Sequence, residues 1–214
     1  MSVVGILPAG GSGERLGAQR PKAFVVLAGR PMLEWSLEVL RGVCDRVIVA
    51  VPQASASASA DVVVGGPSRS ESVRNAVEAA PEADVFVVHD AARPLVTAEL
   101  VQRCLDAVTG DRDGAIAAGR VTDTVKQADD AGRVLATLDR SSLWAVQTPQ
   151  VFKADSLRRA LGADATTLAA ATDDASLVES AGGTIAVVES RAENFKVTTP
   201  LDLRMAEAVL AERC

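Results

Sequence analysis

The sequence predicts an α/β fold, a three-layer sandwich with helices on both faces of a mostly parallel sheet. Three observations carry that prediction. Short β-branched runs recur along the chain, and runs apolar at every position suit strands buried on both faces. Stretches with helical apolar spacing lie between them, and such alternation builds a parallel sheet with right-handed crossovers. At 214 residues the chain suits one domain, 1–214, with a substantial core and no internal repeat or second boundary.

The first strand is residues 2–7 (SVVGIL), halted by Pro8 and the Gly10–Gly11 pair. Pro31 then opens a helix to about residue 41, with Met32, Trp35, Val39 and Leu40 as its apolar stripe. Strands follow at 46–51 (RVIVAV), 85–88 (VFVV) and 184–188 (TIAVV), with 115–118 (AIAA) a weaker member of the set. Further helices are expected at 70–79, 98–108, 154–161 and 173–180. A last one begins at Pro200, with Thr199 as its N-cap, and runs to about 211. Two segments break the alternation. Residues 53–60 (QASASASA) read as a low-complexity loop. Residues 121–138 hold two short β-prone runs around a turn at 129–132 (DDAG), a hairpin too polar for the core. Such a hairpin, with its base at 121–140, projects as an arm that a partner subunit could bury. Trp35 and Trp144 read as packing residues.

Bulk properties exclude several function classes. A net charge of −6 argues against a general nucleic-acid binder. No apolar run is long enough for a membrane span, and the opening MSVVGILPAGG is too short and too soon broken for a signal peptide. Three widely spaced cysteines (Cys44, Cys104, Cys214) suit reduced thiols and a cytoplasmic setting, and Cys44 and Cys104 are expected to be buried and inert. Against this acidic background, residues 8–30 hold four cations (Arg15, Arg20, Lys22, Arg30) and one acid, Glu14. Local positive charge in a glycine-rich segment points to a phosphate ligand. Lysine is rare: Lys22, Lys126, Lys153 and Lys196 stand against eighteen arginines, so each lysine either marks a site needing a compact charge or is surface drift.

The segment LPAGGSGERLGAQRPKAFVVLAGR, residues 7–30, carries the strongest signal. A strand that ends in glycines lets backbone N–H groups wrap a polyphosphate without interference from Cβ atoms. It is not a Walker A loop, because no GK[ST] follows, and it is one glycine short of a dinucleotide fingerprint. Its distinguishing feature is Arg15 and Lys22, close enough to fold back over the bound phosphates. Nucleotidyl transfer needs charge stabilisation and in-line positioning more than covalent chemistry.

PAGGSGERLG followed by RPKAF resembles the signature loop of the 2-C-methyl-D-erythritol 4-phosphate cytidylyltransferases. Further matches follow in order: VHDAARP at 88–94, DTVK at 123–126, DR at 139–140, TPQ at 148–150, ATDDA at 171–175 and NFKVT at 194–198. The resemblance implies a nucleotidyltransferase, Rossmann-like fold, whose dimer is made by the projecting arm. It also implies a reaction of CTP with 2-C-methyl-D-erythritol 4-phosphate, giving the cytidine diphospho-alcohol and pyrophosphate. A related enzyme for another polyol phosphate, such as ribitol 5-phosphate, is the nearest alternative, and a non-catalytic nucleotide-binding regulator a more distant one. Mg²⁺ is implied as cofactor, held mainly by the CTP phosphates, and no residue is assigned as a metal ligand.

The resemblance also implies site roles. Gly10, Gly11 and Gly13 would cradle the triphosphate, with Ala9 and Gly10 near the cytosine. Arg15 and Lys22 would neutralise charge developing at the α-phosphate. Gly66, Ser72 and Arg69 belong to the cytosine-side loop, where Pro67 replaces a commonly acidic residue. Asp90, Ala91 and Arg93 would contact the polyol phosphate, although Asp90 has the alternative of helping to hold the metal. Arg140, Thr124 and Thr148 look like its phosphate and hydroxyl contacts, some of them reaching across the dimer interface. Lys196 and Thr172 would position the same substrate from the home subunit, and Lys196 and Arg140 count with Arg15 and Lys22 as the catalytic set. The attacking oxygen is a phosphate oxygen, already anionic, so no general base is needed. His89 therefore reads as a structural hydrogen-bonder in preference to a base, and Asp173 and Asp174 as helix-capping acids in preference to a metal pair.

Overall fold

The computed structural model describes residues 1–11, 13, 16, 21–55 and 61–213. Its elements run in chain order as β1 (Val3–Pro8), β2 (Val26–Leu27), β3 (Arg30–Pro31), α1 (Met32–Arg41), β4 (Arg46–Val51), β5 (Val62–Val64), α2 (Arg69–Glu78) and β6 (Val85–Val88). There follow α3 (Ala98–Ala107), β7 (Gly114–Arg120), β8 (Lys126–Ala128), β9 (Val134–Thr137), β10 (Trp144–Lys153), α4 (Ala154–Leu161), α5 (Ala165–Ala170), α6 (Asp174–Ser180), β11 (Ile185–Glu189) and α7 (Pro200–Arg213).

A seven-stranded sheet of order β11-β7-β10-β6-β1-β4-β5 forms the middle layer. All its neighbours are parallel except at β10, which runs antiparallel to both β6 and β7. Side chains alternate across each strand. Leu7, Val49, Val87 and Ala117 face one side with Leu40 of α1 and Val101 of α3. Ile6, Ile48, Val88 and Ile116 face the other with Val73 of α2, Leu157 of α4 and Val178 of α6. A smaller cluster of Leu27, Met32, Leu95, Val197 and Leu210 seats α7 over the β2–β3 ribbon. The α/β three-layer expectation is met.

Several local readings are corrected. Pro31 is not the first helical residue: with φ −50 and an extended ψ of 135, it closes β3 and stands at the N-cap of α1. The weak run at 115–118 is the core of a seven-residue strand, Gly114–Arg120. Strands β5 and β10 and helix α5 were not anticipated. Thr199 does cap α7, its Oγ1 accepting from the Asp202 N–H at 3.2 Å. The hairpin at 121–138 is present as β8 paired antiparallel with β9, and Asp129 Oδ1 accepts from the Arg133 N–H at 2.9 Å to close its turn. In the segment at 53–60, Gln53–Ser55 forms a single 3₁₀ turn, and 56–60 lie outside the described residues.

Both cysteines of the described chain are buried, Cys44 under α1 and Cys104 within α3. Burial, as expected, pushes each thiol up to about 12, which favours the protonated form. Trp35 donates its indole N–H to the Leu27 carbonyl at 3.0 Å and stacks under Arg30; Trp144 stacks under Arg120. Both tryptophans pack, as the sequence suggested.

Candidate active site

Parallel sheets gather ligands at the carboxyl ends of their strands. The exits of β1 and β6 meet the α2 N-terminus and the segment before α7 around a cleft of about 410 Å³. Ala9 extends the β1 ladder by one bond, its N–H reaching the Ala50 carbonyl at 2.7 Å. Past it the chain opens: among the described residues, a Cβ on Gly10 would meet nothing within 4 Å, and one on Gly11 only Lys22 Cβ at 3.9 Å. Gly13 takes φ +81, a conformation that side chains resist. The Lys22 N–H bonds the Gly11 carbonyl at 2.9 Å, which returns the lysine to the loop as the spacing implied.

The opposite wall is the loop from Gly66 to Ser68 and the start of α2. Ser68 and Glu71 form a capping box, each side chain accepting from the other residue's backbone N–H. Ser72 Oγ accepts from the Gly66 N–H at 3.1 Å and donates to the Ser68 carbonyl at 2.9 Å. A Cβ on Gly66 would lie 2.5 Å from Glu71 Cβ, so only glycine lets this loop close against the helix.

Asp90 follows β6 and lies deep in the cleft. Its Oδ1 accepts from Arg69 Nε at 3.0 Å and its Oδ2 from Lys196 Nζ at 2.7 Å. Burial alone would raise this carboxyl, but Arg69 and Lys196 outweigh burial and hold it well below the usual carboxylate range. The Asp90 N–H donates to Thr148 Oγ1 at 3.0 Å. Thr148 Oγ1 is also 3.0 Å from His89 Nδ1, and His89 Nε2 is 3.1 Å from the Arg93 carbonyl. A carbonyl only accepts, so Nε2 carries a proton. Full burial brings His89 down to about 4, which keeps the ring neutral and leaves Nδ1 to accept from the threonine hydroxyl.

The cleft thus gathers Ala9, Gly10, Gly11, Gly13 and Lys22 from the first loop. It also takes Gly66 and Ser72 from the second, with Asp90, Ala91 and Lys196 between them. The remaining predicted residues lie elsewhere. Thr148 is buried behind the cleft, its hydroxyl occupied by Asp90 and His89. Arg93 Nη1 is turned to the Asn194 carbonyl at 2.7 Å. Thr124 and Arg140 are exposed at the base of the arm, and Arg140 Nη1 donates to the Thr122 carbonyl at 2.5 Å. Thr172 is exposed just before α6. Arg15 lies outside the described residues.

Arg69 lines the cleft beside Gly66–Ser68, with its guanidinium turned to the acids. It bridges two carboxylates, donating from Nη1 to Asp174 Oδ2 at 2.7 Å as well as to Asp90. Asp173 is the α6 N-cap, accepting from the Ser176 N–H at 2.9 Å, whereas Asp174 is fully buried. The signal for Asp174 was present: it shares a helix face with Ala175, Leu177 and Val178, where a carboxylate needs a buried cation. Among the described residues, no group of three or more His, Cys, Asp or Glu could hold a metal ion.

A glycine-rich strand exit that carries Lys22 and shares a cleft of about 410 Å³ with Lys196 marks a nucleotide-binding α/β transferase. Residues 3–212 match the IspD family profile, 2-C-methyl-D-erythritol 4-phosphate cytidylyltransferase. The enzyme of that name from Nocardia farcinica is 46% identical over 223 residues, covering 99% of this chain and 95% of the relative. Its counterpart from Rhodococcus jostii is 43% identical, covering 98% and 96%. The crystal structure of the Thermus thermophilus enzyme superposes with a TM-score of 0.83 at 35% identity, covering 99% of this chain and all of that one. The chain belongs to the 2-C-methyl-D-erythritol 4-phosphate cytidylyltransferase family, and it is a nucleotidyltransferase enzyme.

Proposed function

We propose that this cleft transfers the cytidylyl group of CTP to the phosphate of 2-C-methyl-D-erythritol 4-phosphate and releases pyrophosphate. The observation that carries the assignment is the placing of Lys22 and the open Gly10–Gly11 backbone in one cleft with the Asp90–Lys196 pair. The backbone N–H groups of the glycine loop take the triphosphate, and Ala9, Gly66 and Ser72 frame the base. Arg15 and Lys22 stabilise charge at the α-phosphorus as an oxygen of the polyol phosphate attacks in line and the bond to pyrophosphate breaks. The nucleophile arrives as an anion, so no base is required, and His89 has both ring nitrogens engaged. Asp90, Ala91 and Lys196 hold the polyol phosphate, with Thr172 at the rim and Arg93 and Thr148 fixing the wall behind.

Mg²⁺ fits a site of this kind without a protein cage. Asp90 is the one acid among the described residues lining the cleft, and both its oxygens already face cations. When bound, the ion rides on phosphate oxygens and waters and offsets triphosphate charge. For Asp90 the substrate-side reading is therefore retained over the metal one.

The chain works as one domain whose arm makes a homodimer. Val134 and Leu135 are adjacent on β9, so they face opposite sides of the hairpin, and each is 56% exposed. A second copy would cover them and bring Thr124 and Arg140 to the neighbouring cleft. The cytoplasm, a reducing compartment, suits the two buried free thiols. No helix among the described residues is long and apolar enough to cross a membrane. The test is pyrophosphate release with Mg²⁺ and CTP, comparing methylerythritol 4-phosphate with ribitol 5-phosphate. Release only with the former is expected; release only with the latter, or with neither, would overturn the assignment.

A further inference from the structure

Four charged side chains from four distant segments alternate in sign through the wall of the cleft. Asp174 Oδ2 meets Arg69 Nη1 at 2.7 Å, Arg69 Nε meets Asp90 Oδ1 at 3.0 Å, and Asp90 Oδ2 meets Lys196 Nζ at 2.7 Å. Lys196, Asp90 and Arg69 line the cleft, whereas Asp174 does not. Asp174 is fully buried, and its second oxygen, Oδ1, has no hydrogen-bond partner among the described residues. Burial raises this carboxyl, with Arg69 opposing that in part. A buried ion pair with one unmatched oxygen contributes little net stability.

Its effect is on aim. A guanidinium is a rigid planar fork that will grip one carboxylate with two parallel N–H groups whenever it can. Facing Asp90 alone, Arg69 would take both carboxylate oxygens and displace Lys196 from Oδ2. With Asp174 holding Nη1, Arg69 reaches Asp90 through Nε only, and Oδ2 is left to the lysine. We infer that Asp174 is a positioning residue: by anchoring Arg69 it leaves one oxygen of Asp90 to fix the Lys196 ammonium over the polyol phosphate. This rests on the reading of Lys196 as a substrate-facing cation.

The test is a double-mutant cycle on the full chain, read as steady-state kinetics with CTP and methylerythritol 4-phosphate, together with thermal melting. Asp174→Asn keeps the shape and removes the charge. It is expected to lower kcat by about 10- to 100-fold, the scale of a misplaced catalytic group. The KM for CTP should stay within about twofold, because the glycine loop is untouched, and thermal melting reads the cost of the lost buried charge separately from kcat. Arg69→Lys, at a part-exposed position, keeps the charge and loses the fork, and its expected loss is of the same size. In a Lys196→Gln background, Asp174→Asn should cost nothing further. Wild-type kcat in both Asp174→Asn and Arg69→Lys would overturn the inference. So would a loss from Asp174→Asn that multiplies in full with the residual turnover of Lys196→Gln. Wild-type turnover in Lys196→Gln alone would instead overturn the reading of the site, and the positioning role with it.

Discussion

His89 is the only histidine in the chain, so its imidazole resonance in a proton–carbon correlation spectrum has no competitor. In the neutral ring Nε2–H is given to the Arg93 carbonyl, and Nδ1 takes the Thr148 hydroxyl proton. Burial lowers the ring from 6.5 to about 4. Between those values the unfolded chain binds a proton that the folded protein refuses. Stability is therefore unaffected above pH 6.5, falls as pH drops toward 4, and has lost its full share below that. A gap of about 2.5 pH units corresponds to about 3 kcal/mol of unfolding free energy. The Asp90 carboxyl, held low, gives up its contribution at more acidic pH, so the two windows separate. Urea unfolding at pH 7 and pH 4.5 measures the loss. His89→Asn, which offers a donor and an acceptor but does not titrate, should lose about 2.5 kcal/mol less stability between those two pH values. An imidazole midpoint near 6.5, or equal losses in the two proteins, would refute the neutral-ring network.

Three further outcomes are expected. Gly66→Ala places a Cβ 2.5 Å from Glu71 Cβ, so the loop must shift; the KM for CTP should rise at least about tenfold by steady-state kinetics, with kcat less affected. Cys44 and Cys104, buried with thiols at about 12, should remain unalkylated by iodoacetamide at pH 8 in the folded protein and react once urea is added, by peptide mass mapping. Leu135→Arg, on the exposed arm, should convert a sedimenting dimer to monomer while leaving the melting of the separated chain within a few degrees.

The central sheet was legible where burial leaves its plainest mark. β1, β4 and β6 are apolar at nearly every position because helices cover both faces. β10 hid for the opposite reason: its first half is exposed, its second half buried, and its antiparallel run includes Pro149. β5 is three valines at the sheet edge, too short to register as a pattern. In the site, the glycine loop and its lysine were legible because they are contiguous in sequence. The bridge from Arg69 to Asp174 spans 105 positions, and no local spacing announces it. Thr148 was marked as a site residue by its motif, but only the fold shows its hydroxyl serving His89 and the Asp90 backbone.

The most direct test of the central claim is Lys22→Met, assayed for pyrophosphate release and, by calorimetry, for CTP binding with Mg²⁺. A lysine that acts on the α-phosphate during transfer predicts a kcat loss of about a thousandfold or more with CTP affinity reduced by less than about tenfold. Retained turnover, or turnover and affinity falling together, would contradict the account.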